Sequence, residues 1–358
     1  MRHADLGRTG IRIPRVVFGA WAIGGWGWGG TDDEASIRAI HASIEAGANA
    51  FDTAPVYGFG HSEEVLGRAI RGRRREVLVL TKIGLRWDDS LGDVAFESTD
   101  ESGLRRVVRR NARPESVRFE VERSLARLGI ETIDLIQVHW PDARTPVADT
   151  MAALLALRDA GKVRAIGVSN FDVPEIEAAQ AALGAVPLAC TQPKYSLVAR
   201  DIETGILPHC ARAGVGVIVY SPLEQGLLTG RVPADRTFPD ADGRSRRPTF
   251  RASNRAQVNA ALASVAAPIA RRHGVTIGQV AIAWALAQPG LTAAIVGART
   301  PEQARENAAA ADIVLSGEEE TSLRWAFESL KLDLSRPIAA RARLKRVLQR
   351  WMGRLLGR

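Results

Sequence analysis

The sequence predicts an α/β fold: a parallel (β/α)8 TIM barrel with an N-terminal hairpin, long loops at the C-terminal face and an extra basic C-terminal helix. Three observations carry this reading. Short β-branched or apolar runs recur eight times, at Val16–Phe18, Ala48–Phe51, Val77–Thr81, Ile133–Val138, Val163–Val168, Leu188–Thr191, Val215–Val219 and Ala293–Val296. They are continuous instead of alternating, as expected for strands buried on both faces. Between them lie segments with helical spacing, and strands that alternate with helices build a parallel sheet that eight units can close.

Taken in order, Arg2–Leu6 and Ile11–Ile13 flank Gly7 to Gly10 and form a hairpin expected to plug one end of the barrel. Helix starts are marked by Thr31-x-x-Glu34, by Pro114 at a first turn, by Asp172 with Pro174, and by Thr300-Pro301-x-Gln303. Residues 274 to 298 carry no charged side chain and are long enough to span a bilayer. Gln279, Gln288 and the Pro289-Gly290 turn indicate instead a buried helix followed by a buried strand. Three connections are long or unusual: Gly24 to Gly30, residues 84 to 113, and residues 224 to 253. All three leave the C-terminal ends of strands, where barrel enzymes build their sites, so they are expected to be functional loops. The stretch from Trp87-Asp88-Asp89 to Asn111 is too polar for a core, and a disordered insertion is the alternative for 88 to 105.

Charge is unevenly placed. The chain of 358 residues has 48 Lys+Arg against 40 Asp+Glu, and eight basic residues with no acidic one fall between 336 and 358. Residues 1 to 335 are therefore formally neutral, which excludes a basic nucleic-acid-binding globule. They form one expected domain, and 336–358 form a basic amphipathic extension. Leu344, Val347, Leu348, Trp351, Met352, Leu355 and Leu356 recur there at three- and four-residue spacing, an apolar helix stripe flanked by arginines. Such a helix either docks on the barrel or on a second copy, or lies on an anionic membrane surface. Cys190 and Cys210 are too few for a disulfide framework and lack the spacing of zinc ligands, so no metal is expected. With an N-terminus lacking the apolar core of a signal peptide, the expected location is cytoplasmic.

Gly25-Trp26-Gly27-Trp28-Gly29-Gly30 satisfies G-x-G-x-x-G, follows a strand, and has Asp52 about twenty residues on, in the manner of a Rossmann fingerprint. Physical detail opposes that reading. Trp26 and Trp28 fill the loop with indole, while Asp32, Asp33 and Glu34 put negative charge where a pyrophosphate would sit. A substrate-facing aromatic loop accounts better for the tryptophans.

Four polar residues stand at or just past strand ends: Asp52, Tyr57, Lys82 and His139. Strand ends of one barrel converge on one rim. A lysine in an apolar rim needs a counter-charge, which Asp52 supplies. A cation beside Tyr57 is expected to lower its proton affinity from the free value of about 10. A tyrosine so placed is a general acid toward a carbonyl oxygen, and His139 can donate a hydrogen bond to that oxygen.

The strings Asp52-Thr53-Ala54-x-x-Tyr57-Gly58, Thr81-Lys82 and Ile133-Asp134-Leu135-x-Gln137-Val138-His139-Trp140 resemble the aldo-keto reductase family over roughly residues 4 to 330. The resemblance implies a TIM barrel that reduces aldehydes and ketones with NADPH and no metal, NADH being the lesser alternative. It implies that Tyr57 is the proton donor, that Lys82 and Asp52 tune it, and that His139 positions the carbonyl of a small substrate. Ser169, Asn170 and Gln192 resemble the holders of the nicotinamide carboxamide, and Tyr220 the aromatic that stacks on the ring. Ser221-Pro222-Leu223 and Gly226 to Gly230 resemble the pyrophosphate loop, with Arg231 as a phosphate partner. Gly297, Arg299, Gln303 and Asn307 resemble the adenosine-phosphate segment, where Arg299 suits a 2′-phosphate. Thr300 with Gln303 also reads as an ordinary capping box.

Gly19 to Gly30 with Thr237-Phe238-Pro239-Asp240 resembles the bacterial general-stress and inositol-operon-type branch of the family. Trp21, Trp26, Trp28, Trp87 and Trp140 would then wall an aromatic substrate pocket. One branch of the family serves as a channel-associated subunit, which makes an NADP-binding, redox-sensing regulatory subunit with little turnover the alternative function.

Overall fold

The structure is a computed structural model that describes residues 1–25, 30–100, 102–239 and 242–335. Two short strands, β1 (His3–Asp5) and β2 (Arg12–Pro14), pair antiparallel as the expected hairpin. The eight barrel strands are β3 (Val16–Gly19), β4 (Ala50–Asp52), β5 (Leu78–Ile83), β9 (Ile133–Val138), β10 (Val163–Ser169), β11 (Cys190–Gln192), β12 (Gly216–Tyr220) and β13 (Ala293–Gly297). They are parallel and close in chain order, β13 pairing with β3. Each coincides with one of the eight apolar runs. Between β5 and β9 lie three further strands, β6 (Leu85–Arg86), β7 (Asp93–Thr99) and β8 (Arg105–Arg110).

The helices are α1 (Asp33–Glu45), α2 (His61–Ala69), α3 (Pro114–Leu128), α4 (Val147–Asp159), α5 (Val173–Leu183) and α6 (Ile206–Ala213), then α7 (Ala252–Ala261), α8 (Ala267–His273), α9 (Ile277–Ala287), α10 (Pro301–Ala309) and α11 (Gly317–Glu328). The uncharged stretch 274 to 298 resolves into α9 and β13. Nine residues of α9 in a row, Gly278–Leu286, are buried. No helix among the described residues is long and apolar enough to cross a membrane.

Alternation along each strand sorts side chains into two layers. Val17, Ala50, Leu80, Leu135, Ala165, Ile218 and Ala293 meet in the barrel interior, where Leu6, Ile11 and Ile13 of the hairpin join them and plug one end. Small residues at Ala50, Ala165 and Ala293 share this cluster with the larger Leu80, Leu135 and Ile218. The other faces pack against the helices.

Two sequence readings are corrected. The first helix is capped by Asp32, whose side chain accepts from Ala35 N, and not by Thr31. An aspartate one residue nearer the helix offers a charged acceptor at the position the helix needs. The segment 84 to 113 is neither a plain loop nor an insertion without structure. It folds as an antiparallel sheet in the order β6-β8-β7. Asp100 closes its hairpin by accepting from the backbone N–H groups of Ser102 and Leu104, both at 3.0 Å.

Candidate active site

The strand register brings the four polar residues together at the C-terminal rim. Asp52 ends β4, Lys82 lies in β5, and His139 follows β9 with its N–H on Ile83 O. Tyr57 stands on the loop after β4, which presses against the loop after β3. A Cβ at Gly24 would come 2.7 Å from the Tyr57 carbonyl carbon, and Gly58, at φ 64, faces Gly24 in turn. Only glycines permit that approach.

Lys82 is 1% exposed and is satisfied on three sides. Its Nζ donates to Asp52 Oδ1 at 2.5 Å, to Thr53 O at 2.9 Å and to Tyr57 Oη at 3.5 Å. The second Asp52 oxygen accepts from Gln192 Nε2 at 2.8 Å and Gln137 Nε2 at 3.3 Å. A buried ion pair persists only with such saturation. The rings of Tyr57 and His139 meet edge-on with centroids 5.9 Å apart.

Protonation states follow from burial. Burial lowers His139 well below the usual histidine range, and the Lys82 charge adds to this, so its imidazole is neutral. For Lys82, burial pulls down, but Asp52 and the hydrogen bonds outweigh it, and the ammonium is held charged with a raised pKa. Tyr57 corrects the sequence reading. Burial raises its pKa above 10.0, and Lys82 cancels only part of that rise. The phenol is therefore protonated at neutral pH, the state a proton donor requires.

Asp52, Tyr57 and His139 open onto a cleft of about 630 Å³, with Lys82 buried behind them. The resemblance-derived residues line it: Ser169, Asn170, Gln192, Tyr220, Ser221, Leu223, Gly226, Arg231, Gly297, Arg299, Gln303 and Asn307. Tyr220 Oη donates to Asn170 Oδ1 at 2.9 Å, and Asn170 Nδ2 donates to His139 O at 3.0 Å. Ser169 Oγ donates to Gln192 O at 2.8 Å. Asn170, Ser221, Glu224 and Gln225 all have positive φ between 45° and 60°, strain concentrated where the chain rounds the cleft. At the far end Arg231 pairs with Glu306 at 3.3 Å, Arg299 Nη2 donates to Gly30 O at 3.1 Å, and Asn307 Nδ2 donates to Gly297 O at 3.1 Å. The capping box is half formed: Thr300 accepts from Gln303 N, while Gln303 Oε1 turns to Arg299 N.

Such walls fit an elongated dinucleotide. Carboxamides and an aromatic stand beside Tyr57 and His139. Gly226, with nothing within 4 Å of a Cβ position, opens the middle, and an arginine with a helix start closes the other end.

The tryptophans divide. Trp21 and Trp140 line the cleft, and Trp21 lies 6.3 Å from Tyr57 between ring centroids. Trp87 does not line it. It follows β6 and packs edge-on against Phe59, 5.6 Å away, where Leu85 and Phe96 of the small sheet take the wall position instead. Trp26 and Trp28 lie outside the described residues, as does 336–358. Sequence reasoning missed Gln137, which braces Asp52, and Lys194, which holds Glu224 Oε1 at 2.7 Å; it also missed Arg247 on the cleft wall.

Comparison with known proteins bears on this geometry. The sequence pattern of the aldo/keto reductase family matches residues 15–325. Aldo-keto reductase YhdN of Bacillus subtilis is 35% identical over 335 residues, 93% of this chain and 96% of that protein. An NADH-specific methylglyoxal reductase of Escherichia coli is 40% identical over 337 residues, 92% of this chain and 100% of that protein. The solved structure of the glycerol dehydrogenase AKR11B4 from Gluconobacter oxydans matches with a TM-score of 0.79 at 39% identity, covering 90% of this chain and 95% of that one. A closed barrel with a buried Lys-Asp pair under a tyrosine, matched over nine-tenths of its length by enzymes of one kind, makes this chain an oxidoreductase that belongs to the aldo/keto reductase family.

Proposed function

We propose that this protein reduces small aldehydes and ketones to alcohols with NADPH, and that Tyr57 is the general acid. The observation that carries the proposal is the Lys82 ammonium held between Asp52 and the Tyr57 hydroxyl at the floor of the cleft. Reduced nicotinamide, when bound, supplies a hydride for the carbonyl carbon. Tyr57 Oη gives its proton to the carbonyl oxygen, and Lys82, at 3.5 Å, stabilises the phenolate left behind until solvent returns the proton. Hydride and proton together make the two-electron reduction of carbonyl to alcohol. His139, neutral and edge-on to Tyr57, orients the carbonyl oxygen between them. Ser169, Asn170, Gln192 and Tyr220 would hold the nicotinamide end. The loop 221–231 would hold the pyrophosphate, and Arg299, Gln303 and Asn307 the adenosine end.

Turnover tests this. The purified chain is expected to oxidise NADPH with para-nitrobenzaldehyde, and Tyr57→Phe is expected to lose about 10²- to 10⁴-fold in kcat, the range of general-acid catalysis. Tight NADPH binding with negligible turnover over an aldehyde panel would favour the regulatory subunit instead.

A further inference from the structure

Among the described residues, six cationic side chains line the cleft: Lys194, Arg231, Arg236, Arg244, Arg247 and Arg299. Most have a local reason to be charged there. Lys194 pairs with Glu224, Arg231 with Glu306, and Arg244 with Asp242 at 2.6 Å, while Arg299 donates to Gly30 O. Arg236 is exposed.

Arg247 differs. It is half-buried, its guanidinium stands over the indole of Trp21 with 5.9 Å from Cζ to the ring centroid, and no side-chain hydrogen bond or ion pair joins it to any other described residue. Glu224 is the acidic group whose field reaches it, but one oxygen of that carboxylate already receives Lys194. Burial accordingly lowers the guanidinium pKa below the usual arginine range.

The backbone holds Arg247 in this position from both sides. Its N–H donates to Arg244 O at 3.2 Å, Phe250 N donates to Arg247 O at 3.0 Å, and Pro248 follows it. Phe250 is itself buried. A guanidinium partly withdrawn from water, with no carboxylate in contact, is held at a cost that an arriving anion offsets. Trp21 links the two groups, because the same indole lies 6.3 Å from the Tyr57 ring and 5.9 Å from Arg247 Cζ.

We propose that Arg247 anchors an anionic group on the substrate, so that the carbonyl compounds this enzyme takes best carry a carboxylate or a phosphate at the end remote from the carbonyl. The planar fork of the guanidinium suits either group in two-point contact. This rests on the carbonyl-reductase reading above and adds the substrate class to it.

Matched substrate pairs at saturating NADPH test it in the full-length chain. Para-carboxybenzaldehyde against para-nitrobenzaldehyde reads the carboxylate, and glyceraldehyde phosphate against glyceraldehyde reads the phosphate. Arg247→Gln is expected to lower the anionic-to-neutral ratio of kcat/KM about 10- to 100-fold in at least one pair, chiefly through KM, the range for a hydrogen bond to a charged group. Arg247→Lys is expected to restore part of the ratio. A raised KM for NADPH with an unaltered ratio would assign the arginine to the cofactor, and a lower Tm with an unaltered ratio would make it a neutraliser of Glu224; either overturns the proposal. A wild type that turns over no aldehyde defeats the reductase reading alone, and binding then decides. Tryptophan quenching of the NADP+-loaded chain by para-carboxybenzyl alcohol is expected to weaken in Arg247→Gln by the same factor, and equal binding to both chains overturns the anchor.

Discussion

Lys82 Nζ stands 3.5 Å from the Tyr57 hydroxyl, close enough to favour a phenolate, yet the tyrosine keeps its proton because burial acts more strongly in the opposite direction. Proximity of unlike groups can be read from strand-end positions, whereas depth of burial depends on loops whose packing a sequence does not give. For the same reason the convergence of Asp52, Tyr57, Lys82 and His139 was legible, while Trp87 was misplaced and Arg247 went unnoticed: the first four belong to barrel strands or the short segments that follow them, and the last two to the long connections 84 to 113 and 224 to 253. Arg299 is the residue on which coenzyme choice is argued. It follows β13 immediately before the α10 cap, its N–H is tied to Gln303 Oε1 at 2.8 Å, which fixes the backbone, and its guanidinium, with Nη2 on Gly30 O, places a cation at that end. Arg299→Ala is expected to raise KM for NADPH well above tenfold, as loss of a charge-assisted phosphate contact does, and to leave NADH nearly unchanged. Steady-state kinetics with both coenzymes checks it, and equal effects would remove the 2′-phosphate assignment.

Among elements, the eight barrel strands were legible because both faces of each are buried, which imposes a continuous apolar run. The β6-β8-β7 sheet was not, since it covers the cleft with one face and meets solvent with the other, and its residues read as polar loop. Asp100-x-Ser102-Gly103 was the available signal, a turn between two runs of β-forming residues. This sheet departs from β5 at Gly84, φ 93, whose N–H donates to Glu120 Oε1 of α3 at 2.9 Å. Glu120 is 3% exposed, and among the described residues its other oxygen has no hydrogen-bond partner. Burial pushes its pKa up to about 8.

A carboxyl whose pKa rises on folding favours the fold fully below the ordinary carboxylate range. That contribution is lost as pH rises toward the folded value, here between about 4.5 and about 8. Glu120→Gln removes the titration and keeps an oxygen for Gly84. Its Tm relative to wild type is therefore expected to improve by a few degrees between about pH 5 and about pH 9. Thermal melts at both ends test this, and the same difference at each would show that Glu120 does not hold its proton in the fold.

For the whole molecule, charge distribution separates a neutral barrel from a cationic end. The described chain is pinned to the barrel up to Ser335: Lys331 N donates to Gln257 Oε1 at 3.0 Å, Asp333 N to Asn254 Oδ1 at 2.9 Å, and Arg251 Nη2 to Ser335 O at 2.7 Å. A chain ending at 335 therefore keeps every contact that ties this segment to α7, and residues 336 to 358 bring eight basic side chains and no acidic one. Because deletion at such a boundary removes none of those bonds, the shortened chain is expected to fold and to match the full one in kcat/KM, and a lowered Tm would mark docking of the extension on the barrel. Co-sedimentation with vesicles of anionic lipid then assigns the extension. Retention of the full chain alone, weakened by salt, would mark lipid contact through its arginines. Equal sedimentation of both chains would eliminate the membrane and leave the apolar stripe from Leu344 to Leu356 to be covered by protein, either this barrel or a second copy.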